Sequence, residues 1–147
     1  MSLQQWHENG WLTKAEPSSA EVSNLLGIAE REIADASLKG ISPDGRFQHA
    51  YDAVRALCEV ALHASGYALS KGQGQHERVI ESLTLTLGGE WVETADFFQH
   101  CRRMRHQMTY ERPGITQGKD ADDLLDAAKQ LLVEVRAWLE HRHPDLI

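Results

Sequence analysis

The chain has 147 residues, 41% hydrophobic and 25% charged, with a formal net charge of −7. That length suits one domain, spanning 1–147, with a single hydrophobic core. The composition excludes a disordered chain, and no run reaches the roughly 18 apolar residues of a membrane-spanning helix. Met1 to Trp11 lacks the basic start and apolar run of a secretory signal, so the expected location is cytoplasmic.

Six helical segments follow in chain order. A short N-terminal piece carries Trp6, Trp11 and Leu12 and depends on docking against the rest. The second runs from near Ser18, which forms a capping-box spacing with Glu21, to about Leu38 before Gly40, with Val22, Leu25, Leu26, Ala29 and Ile33 on one face. The third has Ser42 as N-cap and Pro43 at its first position, where a missing amide hydrogen costs nothing. It is expected to bury Phe47, Ala50, Tyr51, Val54, Cys58, Ala61 and Leu62 and to stop near Gly66. The stretch GYALSKGQGQ from Gly66 to Gln75 reads as a loop without regular structure. The fourth helix spans about His76 to Leu87, with Val79, Ile80, Leu83 and Leu87 on its apolar face. A fifth spans about Glu90 to Thr109. The last begins near Asp120, with Leu124, Ala128, Leu131, Val135 and Trp138 spaced alternately by four and three. Short connections between such helices predict an all-α, up-and-down bundle of about five main helices plus the short N-terminal one.

Cys58 and Cys101 fall in apolar helical patterns and read as buried free thiols. Eight histidines are present, but neither a His-Glu-x-x-His motif nor paired Cys-x-x-Cys spacing occurs, so neither a metal nor another cofactor is expected. Tyr51 and Trp138 fit the apolar stripes and read as core. Arg136 and His141 read as a solvated helix end.

The negative net charge opposes general binding to phosphate backbones, so any nucleic-acid contact must be local. One segment qualifies. Arg102, Arg103, Arg105 and Arg112 lie within eleven residues, with His100 and His106 beside them and only Glu111 opposing. At 100° per residue, Phe97, Cys101, Met104 and Met108 form the main apolar row of the fifth helix, and Trp91 and Phe98 flank it. Arg105 falls between the two sets, Arg102 lies near the flank, and Arg103 and His106 point away. An arginine drawn partly inside needs acidic or neutral acceptors, or an anionic ligand. Two readings stand: an ion pair with Asp52 or Glu59 on a neighbouring helix, or a phosphate site that uses the bidentate guanidinium.

The runs RRMRHQMTYERP (102–113), YDAVRALCEVALHASGY (51–67) and GQGQH (72–76), with the order of the helices, resemble the HEPN superfamily of prokaryotic helical domains. The resemblance implies a four- to five-helix bundle that dimerises with its motifs facing a shared cleft. It also implies either a metal-independent ribonuclease, as in toxins of toxin–antitoxin pairs partnered by nucleotidyltransferases, or a non-catalytic module binding RNA or a nucleotide. The family's active motif is an arginine, a polar residue and, after a gap, a histidine. Arg105 and His106 match the first two, but Tyr110 stands where the histidine belongs. A phenol of pKa near 10 is a poor base at neutral pH. The expectation is therefore a non-catalytic or accessory module binding RNA, a nucleotide or a partner protein at Arg102, Arg105, Tyr110 and His76. Two alternatives are a ribonuclease drawing on Arg105 and His106 and a purely structural interaction bundle.

Overall fold

Alanine dictates the middle of the fold. The helix α3 (Pro43–Ala64) buries twelve of its 22 residues, among them Ala50, Ala53, Ala56, Ala61 and Ala64. Such small side chains let neighbouring helices approach on several sides at once. In the computed structural model, which describes residues 1–147, α3 is flanked by α2 (Ser19–Ala36) and α7 (Gly118–Arg142), its two most extensive partners. The shorter α4 (Gln75–Glu81), α5 (Leu83–Thr86) and the longer α6 (Val92–Tyr110) cover the remaining side. With α1 (Leu3–Glu8) at the N-terminus, the chain is the all-α bundle expected from its periodicity. No helix is long and apolar enough to cross a membrane.

The caps lie where the sequence places them. Ser18 Oγ accepts the Glu21 amide hydrogen and Ser42 Oγ that of Gly45, each at 3.1 Å, with Pro43 opening α3. The last helix starts two residues earlier than read, at Gly118, because Gln117 and Asp120 form a reciprocal capping box.

Two readings need correction. The segment after Gly66 is not wholly irregular: Tyr67–Leu69 forms β2, which pairs antiparallel with β1 (Leu12–Lys14) in the register Leu12↔Leu69, Thr13↔Ala68, Lys14↔Tyr67. Gly66, at φ +94°, makes the left-handed exit from α3 that permits this return. Three-residue strands are too short to display a period-two pattern. The fourth helix also divides at Ser82, whose buried hydroxyl donates to the Val79 carbonyl at 2.6 Å. Ser82 in turn accepts from Leu85 at three-residue spacing, which tightens the turn into α5.

Asp44, in the first turn of α3, holds the α6–α7 connection. Its carboxylate accepts the amide hydrogens of Gly114 at 2.5 Å and Thr116 at 3.2 Å. Burial pushes the carboxyl upward, but these donors outweigh it and leave the pKa below its ordinary 3.8. Asp44→Ala is expected to cost about 1–2 kcal/mol, the scale of hydrogen bonds to a charged acceptor. Because the folded pKa is depressed, that deficit is complete above pH 3.8 and closes as the pH falls through the folded value. Urea unfolding of both proteins across that range measures it.

Candidate functional site

The buried residues of α6 are Ala95, Phe98, Cys101 and Met108. Arg105 occupies the next place in that row, four residues after Cys101 and three before Met108, where an apolar side chain would normally stand. The phase differs from the sequence reading, which placed Phe97 in the main row and Phe98 beside it. Phe98 is fully buried, whereas Phe97 borders a groove with Ala127 and Leu131 of α7. A helix between two neighbours has two apolar faces, and a single direction averaged over both falls between them.

Arg105 makes no ion pair with Asp52 or Glu59. Its Nε donates to Gln48 Oε1 at 3.2 Å, and Gln48 Nε2 donates to Asp52 Oδ1 at 3.0 Å, so the carboxylate is reached only through a neutral amide. The guanidinium carbon lies 5.8 Å from the centre of the Tyr51 ring, a cation–π distance. Arg102 is positioned from a different direction: its Nε donates to Gln99 Oε1 at 2.8 Å, and Gln99 Nε2 donates to the Glu77 carbonyl at 2.8 Å. Gln99 thereby ties Arg102 to α4.

His76 joins these groups to α3. Arg55 donates to His76 Nε2 at 2.6 Å, which requires that nitrogen to be an unprotonated acceptor. The proton then resides on Nδ1 and is donated to the Tyr51 hydroxyl at 3.1 Å. The environment supports this tautomer. Desolvation lowers the His76 pKa, as do Arg55, Arg105 and Arg102, against a smaller opposing pull from Asp52. Tyr51 stays a neutral phenol, its pKa pushed up to about 12 by burial although the three arginines oppose the shift.

His76, Arg102 and Arg105 border a cleft of about 290 Å³ lined also by Gly72, Gly74, Gln75, Glu77 and His106, with Arg55, Tyr51 and Gln48 of α3 behind them. Its lining includes no hydrophobic residue and one carboxylate, Glu77. Gly74, at φ +80°, turns the loop into α4 and brings its backbone to the rim. A wall of guanidinium, imidazole and backbone suits a hydrated oxyanion such as phosphate better than an apolar ligand.

Of the residues singled out from sequence, Arg102, Arg105, His76 and His106 converge on this cleft. Tyr110 does not line it. It is 66% exposed, and its ring lies 4.8 Å from that of His106, which leaves it at the margin one turn farther along α6. Arg103 and Arg112 are exposed, and Arg136 pairs with Glu30 at 2.5 Å. Sequence reasoning missed Arg55 and Gln48, and it named Asp52 only as a direct ion-pair partner of Arg105. A charge at position 55 inside the alanine-rich run AVRALCEVAL was the available signal, since a cation there must lean against the buried face.

Both cysteines are buried free thiols; burial raises both pKa values, that of Cys101 to about 12, which leaves them unreactive. Glu32, Asp35 and His49 bring three ligand-type atoms within 4.8 Å of one another, a grouping the motif spacing did not reveal. It is already satisfied in part by the 2.7 Å contact between His49 Nδ1 and Glu32.

No protein-family model, curated protein or solved structure matches the chain.

The neutral state of His76 has a measurable consequence. A depressed imidazole pKa contributes stability that is complete above the ordinary 6.5 and is lost as the pH falls below it. His76→Gln is expected to reduce the loss of unfolding free energy between pH 7 and pH 5 relative to the parent chain. Equal losses in paired denaturation curves would contradict a neutral His76 with a depressed pKa.

Proposed function

We propose that this chain is a HEPN-like accessory module that binds phosphate groups of RNA or a nucleotide at the cleft between the glycine loop, α4 and α6, without cleaving them. One observation carries the reading: Arg55, Arg102 and Arg105 converge around His76, and none of them forms an ion pair with a carboxylate. A chain of net charge −7 with many acids available leaves these three cations to neutral partners. Half-buried guanidinium groups without anionic partners carry a desolvation cost that an incoming phosphate offsets. The purely structural bundle is disfavoured for the same reason, because arginines that only tie helices together would meet carboxylates.

The resemblance supplies the rest of the proposal: a homodimer in the cytoplasm whose cleft accepts RNA or a nucleotide, with a nucleotidyltransferase-type protein as partner. The absence of a histidine at position 110 favours binding over catalysis. Both ring nitrogens of His76 are engaged by Arg55 and Tyr51, so it is not a free base. Metal-independent ribonuclease activity is the second reading, and His106 favours it: the imidazole is exposed at the cleft edge beside Arg105.

Binding and cleavage of a labelled single-stranded RNA, and binding of AMP and ADP, measured in chelator across a salt series, separate these readings. The expected result is salt-dependent binding without cleavage, weakened about tenfold or more by Arg105→Met through loss of one charge-assisted phosphate contact. Cleavage that persists in chelator and disappears with His106→Ala would replace the accessory role with the ribonuclease. Failure to bind either RNA or nucleotide at low salt would remove the phosphate reading altogether. Arg105→Met also tests the origin of the site through stability. Placing a flexible apolar side chain in the core row of α6 is expected to leave unfolding free energy unchanged or raise it by about 1 kcal/mol, because it removes a half-buried unpaired charge.

A further inference from the structure

A second concavity, of about 470 Å³, opens where α2, α3 and the β1–β2 ribbon meet, and its chemistry is the reverse of the cleft's. Leu25, Leu62 and Leu69 give it apolar walls, and two carboxylates, Glu59 and Glu21, are its only acids. Its size falls within the range of pockets that enclose small molecules.

Glu59 is the feature that requires an explanation. It is half-buried, and its carboxylate, which keeps contact with solvent, makes neither an ion pair nor a hydrogen bond with any protein group. Arg55, one helical turn away, borders a neighbouring groove with Glu59 but bonds to His76 instead. Other polar groups around the pocket are engaged elsewhere. His63 Nε2 accepts the Ser18 amide hydrogen at 3.1 Å, the Tyr67 hydroxyl donates to Gln4 at 3.2 Å, and Gln75 donates to the Ser70 carbonyl at 2.8 Å. Glu21 receives only Asn24, at 3.3 Å. Burial raises the Glu59 pKa, Arg55 opposes the shift and Glu21 adds to it. The pocket thus combines negative charge at its polar side with no cation in its lining and leucine on its walls.

We propose that this pocket binds a small primary amine with an apolar body, its ammonium on the Glu59 carboxylate and its hydrocarbon against Leu25, Leu62 and Leu69. The ammonium supplies the counter-charge that the fold withholds from Glu59, and the apolar body gains burial that a bare cation does not. A carboxylate or phosphate is repelled by the same pair of acids, so the two concavities select ligands of opposite sign. The assignment stands independently of the phosphate reading, because no residue that carries it holds phosphate.

The test is a two-dimensional NMR titration of the full chain with hexylammonium, 1-hexanol and hexanoate. Hexylammonium is expected to bind and to shift amide resonances around Leu25, Glu59 and Leu69. Hexanol is expected to bind about tenfold more weakly for want of the charge-assisted contact, and hexanoate not measurably. Glu59→Gln, which preserves shape, is expected to reduce hexylammonium affinity to that of hexanol, whereas Arg105→Met leaves it unchanged. Equal affinity for the amine and the alcohol in the parent chain would overturn the proposal without reliance on any variant. So would an absence of shifts around the pocket, or amine binding that survives Glu59→Gln.

Discussion

A helix covered on nearly every side has to dispose of its polar residues along one line, and that constraint on α3 organises the molecule. Phe47, Ala50, Tyr51, Val54, Leu57, Cys58 and Ala61 belong to faces occupied by neighbours. Gln48, Asp52, Arg55, Glu59 and His63 recur at spacings of four, three, four and four, and so form a stripe along the helix. Half-buried throughout, they cannot be fully solvated. The N-terminal end of the stripe meets Arg105 and His76, and its C-terminal end meets the ribbon and Leu25 of α2. One concavity opens on the stripe itself, and the other is walled by the side chains of α4 and α6 that the stripe holds. The bundle cannot close over the stripe without stranding its charges, and it leaves openings there instead.

Sign alternates along that stripe. Arg55 lies between Asp52 and Glu59, three residues before and four after it, yet it bonds to neither and turns to a neutral imidazole. Asp52 is engaged by Gln48 and Glu59 by no protein group, and Arg55 borders a groove against α2 together with Glu32, Asp52 and Glu59 while Arg102 and Arg105 stand on the α6 side. Burial, with the three arginines, keeps His76 neutral, and a neutral His76 in turn can accept from Arg55 and donate to Tyr51. These contacts support one another, and the buried phenol holds the imidazole ring at the boundary between core and cleft. Over distances beyond roughly 8–10 Å the net negative charge of the molecule is screened at physiological salt, so a local cationic site is compatible with an acidic protein.

The parts of this arrangement that are local in sequence were legible there. Ser18 and Ser42 cap helices because their hydroxyls reach amides three residues on, and the apolar positions of α3 repeat at helical spacing. Arg105 was recognisable as a cation misplaced on an apolar face. What the sequence withheld was tertiary: the partner of Arg105 is Gln48, 57 residues away, which no charge-matching argument selects over Asp52 or Glu59. Arg55 escaped notice because a reading built on apolar periodicity passes over the charged residue inside the repeat. Tyr110 was grouped with Arg105 by its distance along the chain, whereas five residues on a helix amount to about 500°, and the two side chains point to different sides. The ribbon eluded pattern reading because its two strands owe their form to each other rather than to any alternation within them.

That ribbon also bears on how the molecule is assembled. Leu12–Lys14 pairs with Tyr67–Leu69, and the Trp11 carbonyl accepts the Ser70 amide hydrogen at 3.0 Å immediately before the loop that carries Gly72 and Gly74 into the cleft wall. Arg78 of α4 rests over the Trp11 ring at 4.6 Å, on the same N-terminal segment. Helices nucleate from contacts a few residues apart, but this pairing closes a loop of more than fifty residues, whose chain entropy must be lost before the contact returns anything. The expected order of events is a bundle of α2, α3 and α7 first, with the N-terminal segment docking afterwards and fixing the glycine loop in place. The cleft is then a late product of folding, and a chain caught short of that last step would have its core but not its binding wall.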